Sequence, residues 1–412
     1  MRPLTAMTPL GVRVRVPLRL DAITTINPEV PAESVGATAK AVERIWSAAE
    51  GMFRTGLHPG MSLVVRRRGE VVLDRAIGHR LLGGDELMTT DTPACLFSGS
   101  KAISAVVIHC LVQDGLFGLD DYVADYIPEF GANGKGEVTV RSILNHRAGL
   151  ARIPFRKPDP MKFFDTQAVL EALYAAPLSD ANKQAYHAIT GGYILGELAE
   201  RTSGKDMRTL LREYLTDPLG IPNVTYGVPP ERRDQVALSY STGPKRMPPL
   251  TTMMTKLLGV PGHLVAPASN TPEAMDSAVL SAGICASARD ANRIFQMLAE
   301  GGSTGGVTVL KPETLADELK PGGKLVLDAV LPAPIRFSAG FLLGERVASL
   351  YGARTPHAFG HLGFTNILLW ADPSRALSVA FINTGKAISP EGFVGLAAVS
   401  SAISAAFRAD GD

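Results

Sequence analysis

Phe97-Ser98-Gly99-Ser100-Lys101-Ala102-Ile103-Ser104-Ala105-Val106-Val107-Ile108-His109-Cys110-Leu111-Val112 is the stretch on which the reading of this chain turns. Past its first turn it is apolar on nearly every face, interrupted only by His109 and small polar residues. That pattern predicts a helix over 98–112 enclosed by protein on all sides. Ser98 and Lys101 stand three residues apart, so they share a helix face and Lys101 Nζ can approach Ser98 Oγ. An amine in that place can act as base for a serine nucleophile, provided it is partly neutral. Burial and the positive end of the helix dipole both disfavour the ammonium and lower its pKa. The same helix end offers the Ser98 backbone N–H to an oxyanion. Chance alone yields on the order of one Ser-x-x-Lys in a chain of this size. The ordinary reading of the motif is a helix-capping serine followed by a solvated lysine.

The rest of the composition limits what this motif can mean. With 412 residues, 46% hydrophobic and 20% charged, the chain can bury a large core and is not disordered. Lys and Arg (41) against Asp and Glu (40) leave a net charge of +1, so no global field holds a polyanion and nucleic-acid binding is not expected. Three cysteines, Cys95, Cys110 and Cys285, cannot all pair and sit among apolar or small neighbours. They read as buried free thiols of a cytoplasmic protein. No run reaches the roughly 18 apolar residues of a membrane span. Phe393 to Phe407 comes nearest, but Phe393, Leu396, Ile403 and Phe407 recur at helical spacing and predict a helix packed on a sheet. At the N-terminus, Val12, Val14, Val16, Leu18 and Leu20 alternate with Arg13, Arg15, Pro17 and Arg19, the period of a strand with a basic face. It is neither helical nor Ser-rich, as a transit peptide would be. The expectation is an edge strand or arm, through which a homo-oligomer can form.

Along the chain, helical spacing over 39–53 is followed by a hairpin, Met61–Val65 and Val71–Ile77, around a turn at Arg67–Glu70. The Arg66-Arg67-Arg68 run reads as that solvated turn rather than a nucleic-acid patch, since no aromatic or second basic cluster accompanies it. Residues 91–220 read mainly as helices. Residues 223–279, rich in Pro, Gly, Thr and Met and weakly periodic, read as an irregular pocket wall or lid. A helix over 288–299, a second hairpin (366–371 and 376–383) and the last helix complete the order. Hairpins at both ends with helices between them predict an α+β fold. Residues 1–90 and 280–412 form a domain with an antiparallel sheet, 91–279 a mainly helical domain, and the site lies between them.

Two other motifs compete for the chemistry. Gly301-Gly302-Ser303-Thr304-Gly305 matches Gly-x-Ser-x-Gly, but here a helix precedes the glycines instead of following the serine. A helix cap and linker is the simpler reading. His357 and His361 have the i, i+4 spacing of zinc ligands, yet no Glu stands between them and no third ligand is in sight. No metal or organic cofactor is expected.

Three further segments change the weight of Ser98-Gly99-Ser100-Lys101: Leu144-Asn145-His146-Arg147-Ala148-Gly149-Leu150, Tyr186-His187-Ala188-Ile189-Thr190 and Phe359-Gly360-His361-Leu362-Gly363. With Pro59-Gly60, Asp91-Thr92-Pro93 and Ser281-Ala282-Gly283-Ile284, their order and spacing resemble the serine β-lactamase and penicillin-binding-protein superfamily. Within it they resemble the class C-like, family VIII carboxylesterases and related acyltransferases. The resemblance runs from about Gly60 through the final helix. It implies that Ser98 is acylated, that Lys101 activates it and that Tyr186 shares the proton transfer. It further implies that His361-Leu362-Gly363 lies on the strand bordering the site, with Phe364 N–H as the second oxyanion donor beside that of Ser98. Taken singly, Tyr186 is an ordinary half-buried tyrosine and His361 a strand-end histidine. His146 and His187 read as loop supports, and Cys95, lacking a base, as core.

The chain departs from class C β-lactamases where they carry Tyr-x-Asn and a lysine before Thr-Gly; here Ala188 and His361 stand instead. A neutral imidazole offers a β-lactam carboxylate less than an ammonium does. Phe364-Thr365-Asn366 also replaces a small, Gly-rich stretch and reshapes the acyl pocket. The expectation is a serine carboxylesterase that cleaves short- to medium-chain acyl esters through an acyl-enzyme on Ser98. The alternatives are transfer to a non-water acceptor, β-lactamase or D-amino-acid peptidase activity, and a silent binding protein on the same scaffold.

Overall fold

Arg66 and Arg67 show how the sheet is enclosed. Arg66 Nη1 donates to Asn292 Oδ1 at 2.7 Å, whereas the Arg67 guanidinium lies 5.5 Å from the centre of the Phe407 ring. Consecutive strand residues point to opposite faces, so the two arginines reach helices on either side. Both are buried, and only Arg68 of the basic run is exposed. The expected solvated turn therefore shrinks to Arg68-Gly69, both at positive φ (52° and 81°), as a two-residue hairpin turn requires.

The computed structural model describes residues 5–8, 11–155, 159–179, 183–244, 247–248, 250–331 and 333–409, with side chains from Val12 onward. Its main sheet has seven strands: β1 (Thr24–Ile26), β2 (Gly60–Arg67), β3 (Glu70–Gly78), β4 (Leu342–Leu343), β5 (Phe359–Gly363), β6 (Ile367–Asp372) and β7 (Leu377–Asn383). Their spatial order is β4-β5-β6-β7-β2-β3-β1, and every neighbour is antiparallel. The centre, β7 beside β2, joins residues from the two ends of the chain. Every residue of β2, β6 and β7 is buried. That explains why these strands read as continuous apolar runs rather than as alternation.

The long helices are α1 (Ala39–Phe53), α2 (Ser100–Gln113), α3 (Thr190–Ser203), α4 (Ala288–Ala299) and α5 (Pro390–Ala406). Helix α4 lies on β2, β6 and β7, while α1 and α5 pack against each other so closely that a Cβ on Gly395 would meet Met52 Cγ at 2.7 Å. Helix α2 is buried from Ser100 to Leu111 apart from Lys101, as its all-round apolar pattern predicts. One continuous core runs from α1 through the sheet into α2 and α3. The result is an α+β fold.

Two expectations need correction. Residues 223–279 are not irregular: they hold a strand (Val224–Tyr226) and three helices (Leu250–Leu258, Gly262–Ser269 and Pro272–Asp276). Leu250, Met253, Met254, Leu257 and Leu258 do follow helical spacing, a signal obscured by the flanking prolines. At the N-terminus, the strand expected over 12–20 ends at Val14 and belongs to a two-stranded hairpin with Thr5–Thr8, outside the main sheet. Its described part sits on its own chain. Val14 N donates to Gly56 O at 2.8 Å, and Arg13 pairs with Glu391 at 2.7 Å. Residues 1–4 and 9–10 of the basic stretch lie outside the described residues.

Candidate active site

Ser98 sits in a single turn of 3-10 helix, Phe97–Gly99, that runs straight into α2. Phe97 holds a left-handed conformation, φ 47°, a departure uncommon for a side chain of its size and associated with functional turns. The end of β5 closes onto this turn. A Cβ on Gly363 would lie 2.3 Å from Leu96 O and 3.3 Å from Gly99 N, so only glycine permits the approach. Phe364 follows at once, its ring 5.7 Å from that of Phe97.

Lys101 points back along the helix, as i, i+3 geometry requires, and Nζ donates to Ser98 Oγ at 3.2 Å. Its two other donors go to Ala188 O (2.6 Å) and Ser281 O (3.0 Å). Glycine makes the second contact possible: a Cβ on Gly192 would overlap Ser281, at 2.2 Å from its Oγ. All three acceptors are neutral, and among the described residues no carboxylate pairs with this amine. Burial thus lowers its pKa from 10.5 to about 7.

Tyr186 joins them from the segment before α3. Burial pushes its phenol well up, and a hydrogen bond with Ser98 pulls it partly back. Its ring stacks on Phe337 at 6.0 Å and lies 5.0 Å from Lys101 Nζ. Its backbone is held from below: Asp328 Oδ1 accepts from the N–H groups of Tyr186 (3.1 Å), Val330 (2.8 Å) and Leu331 (2.9 Å).

Three histidines surround the amine and the phenol. His146 Nδ1 accepts from His187 N at 3.2 Å, and His187 Nε2 accepts from Leu150 N at 3.0 Å. These bonds fasten the 144–150 loop to the Tyr186 segment, the supporting role read from the sequence. The His361 ring lies 6.0 Å from that of Tyr186, with Nδ1 2.9 Å from Leu362 O and a buried Nε2 that has no partner among the described residues. Burial holds all three imidazoles neutral, with His187 and His361 lowered to about 3. The competing motifs lie elsewhere. Ser303 Oγ donates to Thr308 Oγ1 at 2.9 Å within a two-stranded turn, and His357 is exposed while His361 is buried.

Lys386 and Asp328 gave no signal in the sequence. Lys386 is buried beyond the end of β7, its Nζ donating to Asn383 O at 2.5 Å and lying 5.1 Å from the centre of the Phe97 ring. Ser98 also borders a cavity walled by Phe97, Phe364, the loop after Val279 and the helices of 250–276. No charged side chain is among the described residues lining it.

Comparison with known proteins adds the following. A protein-family model described as Beta-lactamase matches residues 49–399. The chain is 29% identical over 391 residues to the Mycobacterium tuberculosis protein named Esterase/beta-lactamase LipL, covering 90% of this chain and 88% of that one. It is 28% identical over 201 residues, 45% of this chain and 50% of the relative, to Esterase EstB of Burkholderia gladioli. Among solved structures, a penicillin-binding-protein homolog from Caulobacter crescentus superimposes with TM-score 0.77 at 29% identity, over 90% of this chain and 99% of that one. A family VIII carboxylesterase superimposes with TM-score 0.76 at 27% identity, over 89% and 98%.

Proposed function

The chain belongs to the beta-lactamase family, and from that premise we propose that it is a serine carboxylesterase whose nucleophile is Ser98. The observation that carries the proposal is the 3.2 Å contact between Ser98 Oγ and the Lys101 amine, whose pKa desolvation lowers to about 7. At neutral pH a large share of such an amine is unprotonated and ready to accept the serine proton. Ser98 Oγ attacks the ester carbonyl as its proton passes to Lys101. The oxyanion is held by the N–H groups of Ser98 and Phe364. Collapse releases the alcohol, which takes its proton through Tyr186. Water then attacks the acyl-enzyme by the reverse route, giving the carboxylic acid and free Ser98. In this reading the active site lies between a sheet domain (1–90 and 280–412) and a mainly helical domain (91–279). Three free thiols support placing the enzyme in the cytoplasm.

Preference for esters over β-lactams rests on charge. A β-lactam carries a carboxylate, whereas His361 is neutral and the cavity beside Ser98 offers no cation among its described residues. The test compares wild type and Ser98→Ala on p-nitrophenyl esters and a chromogenic cephalosporin, with intact mass after a phosphonate inhibitor. We expect ester turnover and one adduct on wild type, and a loss of roughly a thousandfold or more in the variant. Cephalosporin turnover exceeding ester turnover would overturn the esterase reading. Full ester activity in Ser98→Ala would overturn the site.

A further inference from the structure

The cavity beside Ser98 also has a chemical character. Besides Ser98, its polar side chains are Tyr193, Ser269, Asn270, Ser277, Cys95 and Cys285. Tyr193 Oη donates to Phe163 O, Ser269 Oγ to Ala266 O and Ser277 Oγ to Ala274 O. The Asn270 amide grips both backbone groups of Ser239, accepting from its N–H and donating to its carbonyl. Cys95 Sγ faces Ala282 O at 3.5 Å, and Cys285 is a buried thiol that behaves as a small hydrophobe. Every strong donor on this wall is therefore engaged with the protein's own backbone. What is left to meet a ligand is Val, Leu, Ile, Met, Phe, Pro and Ala.

The cavity's position shows which part of an ester it receives. Its lining includes Ser98 and Phe364, the nucleophile and the second oxyanion donor of the proposed mechanism, but neither Lys101 nor Tyr186. A departing alcohol must stay within reach of the group that protonates it, so it leaves toward Tyr186 and away from this wall. The substituent on the other side of the carbonyl carbon is the acyl chain. From Ser98 the lining carries on to Leu258, Val260, Val265 and Met275, far more apolar surface than an acetyl group can touch.

We propose that this cavity is the acyl-binding site and that it selects uncharged, aliphatic acyl groups of medium to long chain, the short acyl groups being poor substrates. The proposal rests on the esterase reading above and shifts the expected chain length from short and medium to medium and long. The experiment varies the two halves of the ester separately. One series runs from p-nitrophenyl acetate to dodecanoate, and the other holds the acyl group as acetyl while the alcohol lengthens from ethyl to octyl. In the first series kcat/KM is expected to climb by up to roughly fourfold per added methylene, the factor that burying one methylene corresponds to, until the cavity is filled. In the second it should change by no more than about twofold overall. Val265→Phe, on the cavity wall, should lower dodecanoate turnover at least tenfold more than acetate turnover. If that variant fails to fold by circular dichroism, Ala268→Leu serves the same purpose. A maximum at acetate or butanoate, or a rise with the alcohol instead of the acyl chain, would overturn the assignment. Ser98-dependent acetate turnover without a chain-length rise would leave the esterase reading standing and defeat only this one. Absence of turnover and of any Ser98 adduct would defeat both.

Discussion

Lys101 and Lys386 make a controlled pair. Lys386 is buried and Lys101 half-buried against the nucleophile turn, and desolvation lowers both from 10.5 to about 7. Their partners differ. Lys101 reaches Ser98 Oγ at 3.2 Å, with two carbonyls as its other acceptors. Among the described residues Lys386 reaches no hydroxyl: it donates to Asn383 and lies over the Phe97 ring. A depressed amine pKa is thus shared by a candidate base and a candidate support, and only geometry tells them apart. One lysine touches the nucleophile, and the other touches the residue before it.

The comparison can be broken most easily at Lys101. Lys101→Ala should lower kcat by about 10³- to 10⁴-fold, the upper part of what a positioned base contributes. Tyr186→Phe, which keeps the ring stacked on Phe337 and removes the phenol, should lower kcat by about 10²- to 10³-fold. An effect under tenfold in either variant would remove that residue from the proton path. Asp328 supplies an intermediate case. Asp328→Ala frees the Tyr186 backbone and should lower kcat by about ten- to a hundredfold with KM little changed. Asp328→Asn, which still accepts from the same N–H groups, should restore most of it. Equal loss in both would mean that the negative charge, not the position of Tyr186, is what matters. Lys386→Met stands at the bottom of the scale, losing no more than about tenfold, the worth of one cation–π contact.

pH sharpens the same contrast. The base must be neutral, so kcat/KM should fall tenfold per unit as pH drops below about 7, and Lys386→Met should keep that limb. Stability responds in the adjoining window, above about 7. Between about 7 and 10.5 an unfolded lysine holds a proton that the folded one has released, so folding is favoured as pH rises through this window and the advantage is lost as pH falls to 7. Each lysine contributes a slope of at most about 1.4 kcal/mol per pH unit. The unfolding free energy of wild type should therefore rise more steeply between pH 7 and 8.5 than that of Lys386→Met. Parallel slopes in urea melts would show that Lys386 is not held neutral.

The same pair marks how far sequence reaches. Ser98 and Lys101 were legible because their relation is local: three residues on one helix fix the geometry, and the apolar run around them fixes the burial. The hairpin around Arg68-Gly69 was legible for the same reason. Tyr186, His361 and Phe364 carried no signal of their own and came only through resemblance of whole segments. Lys386 meets Phe97 across 289 positions of chain, and Asp328 meets Tyr186 across 142. No periodicity records such contacts. The helices of 250–276 are a different kind of miss: they are short, capped by loops and built partly on threonine and proline, so propensity hid a pattern that packing satisfies.

The sheet also sets a timetable for the newborn chain. Gly60, at the start of β2, donates to Thr384 just past the end of β7, 324 residues later, and β2 and β7 pair along their length. At about 5–20 residues per second a ribosome needs roughly 15–65 s to span that interval. For all that time β2 and β3 have one bare, strongly apolar edge, the kind of edge that templates pairing with other chains. The last strand to be made is the one that closes the middle of the sheet. Completion of the sheet therefore waits on the emergence of β7, and until then that edge needs shielding.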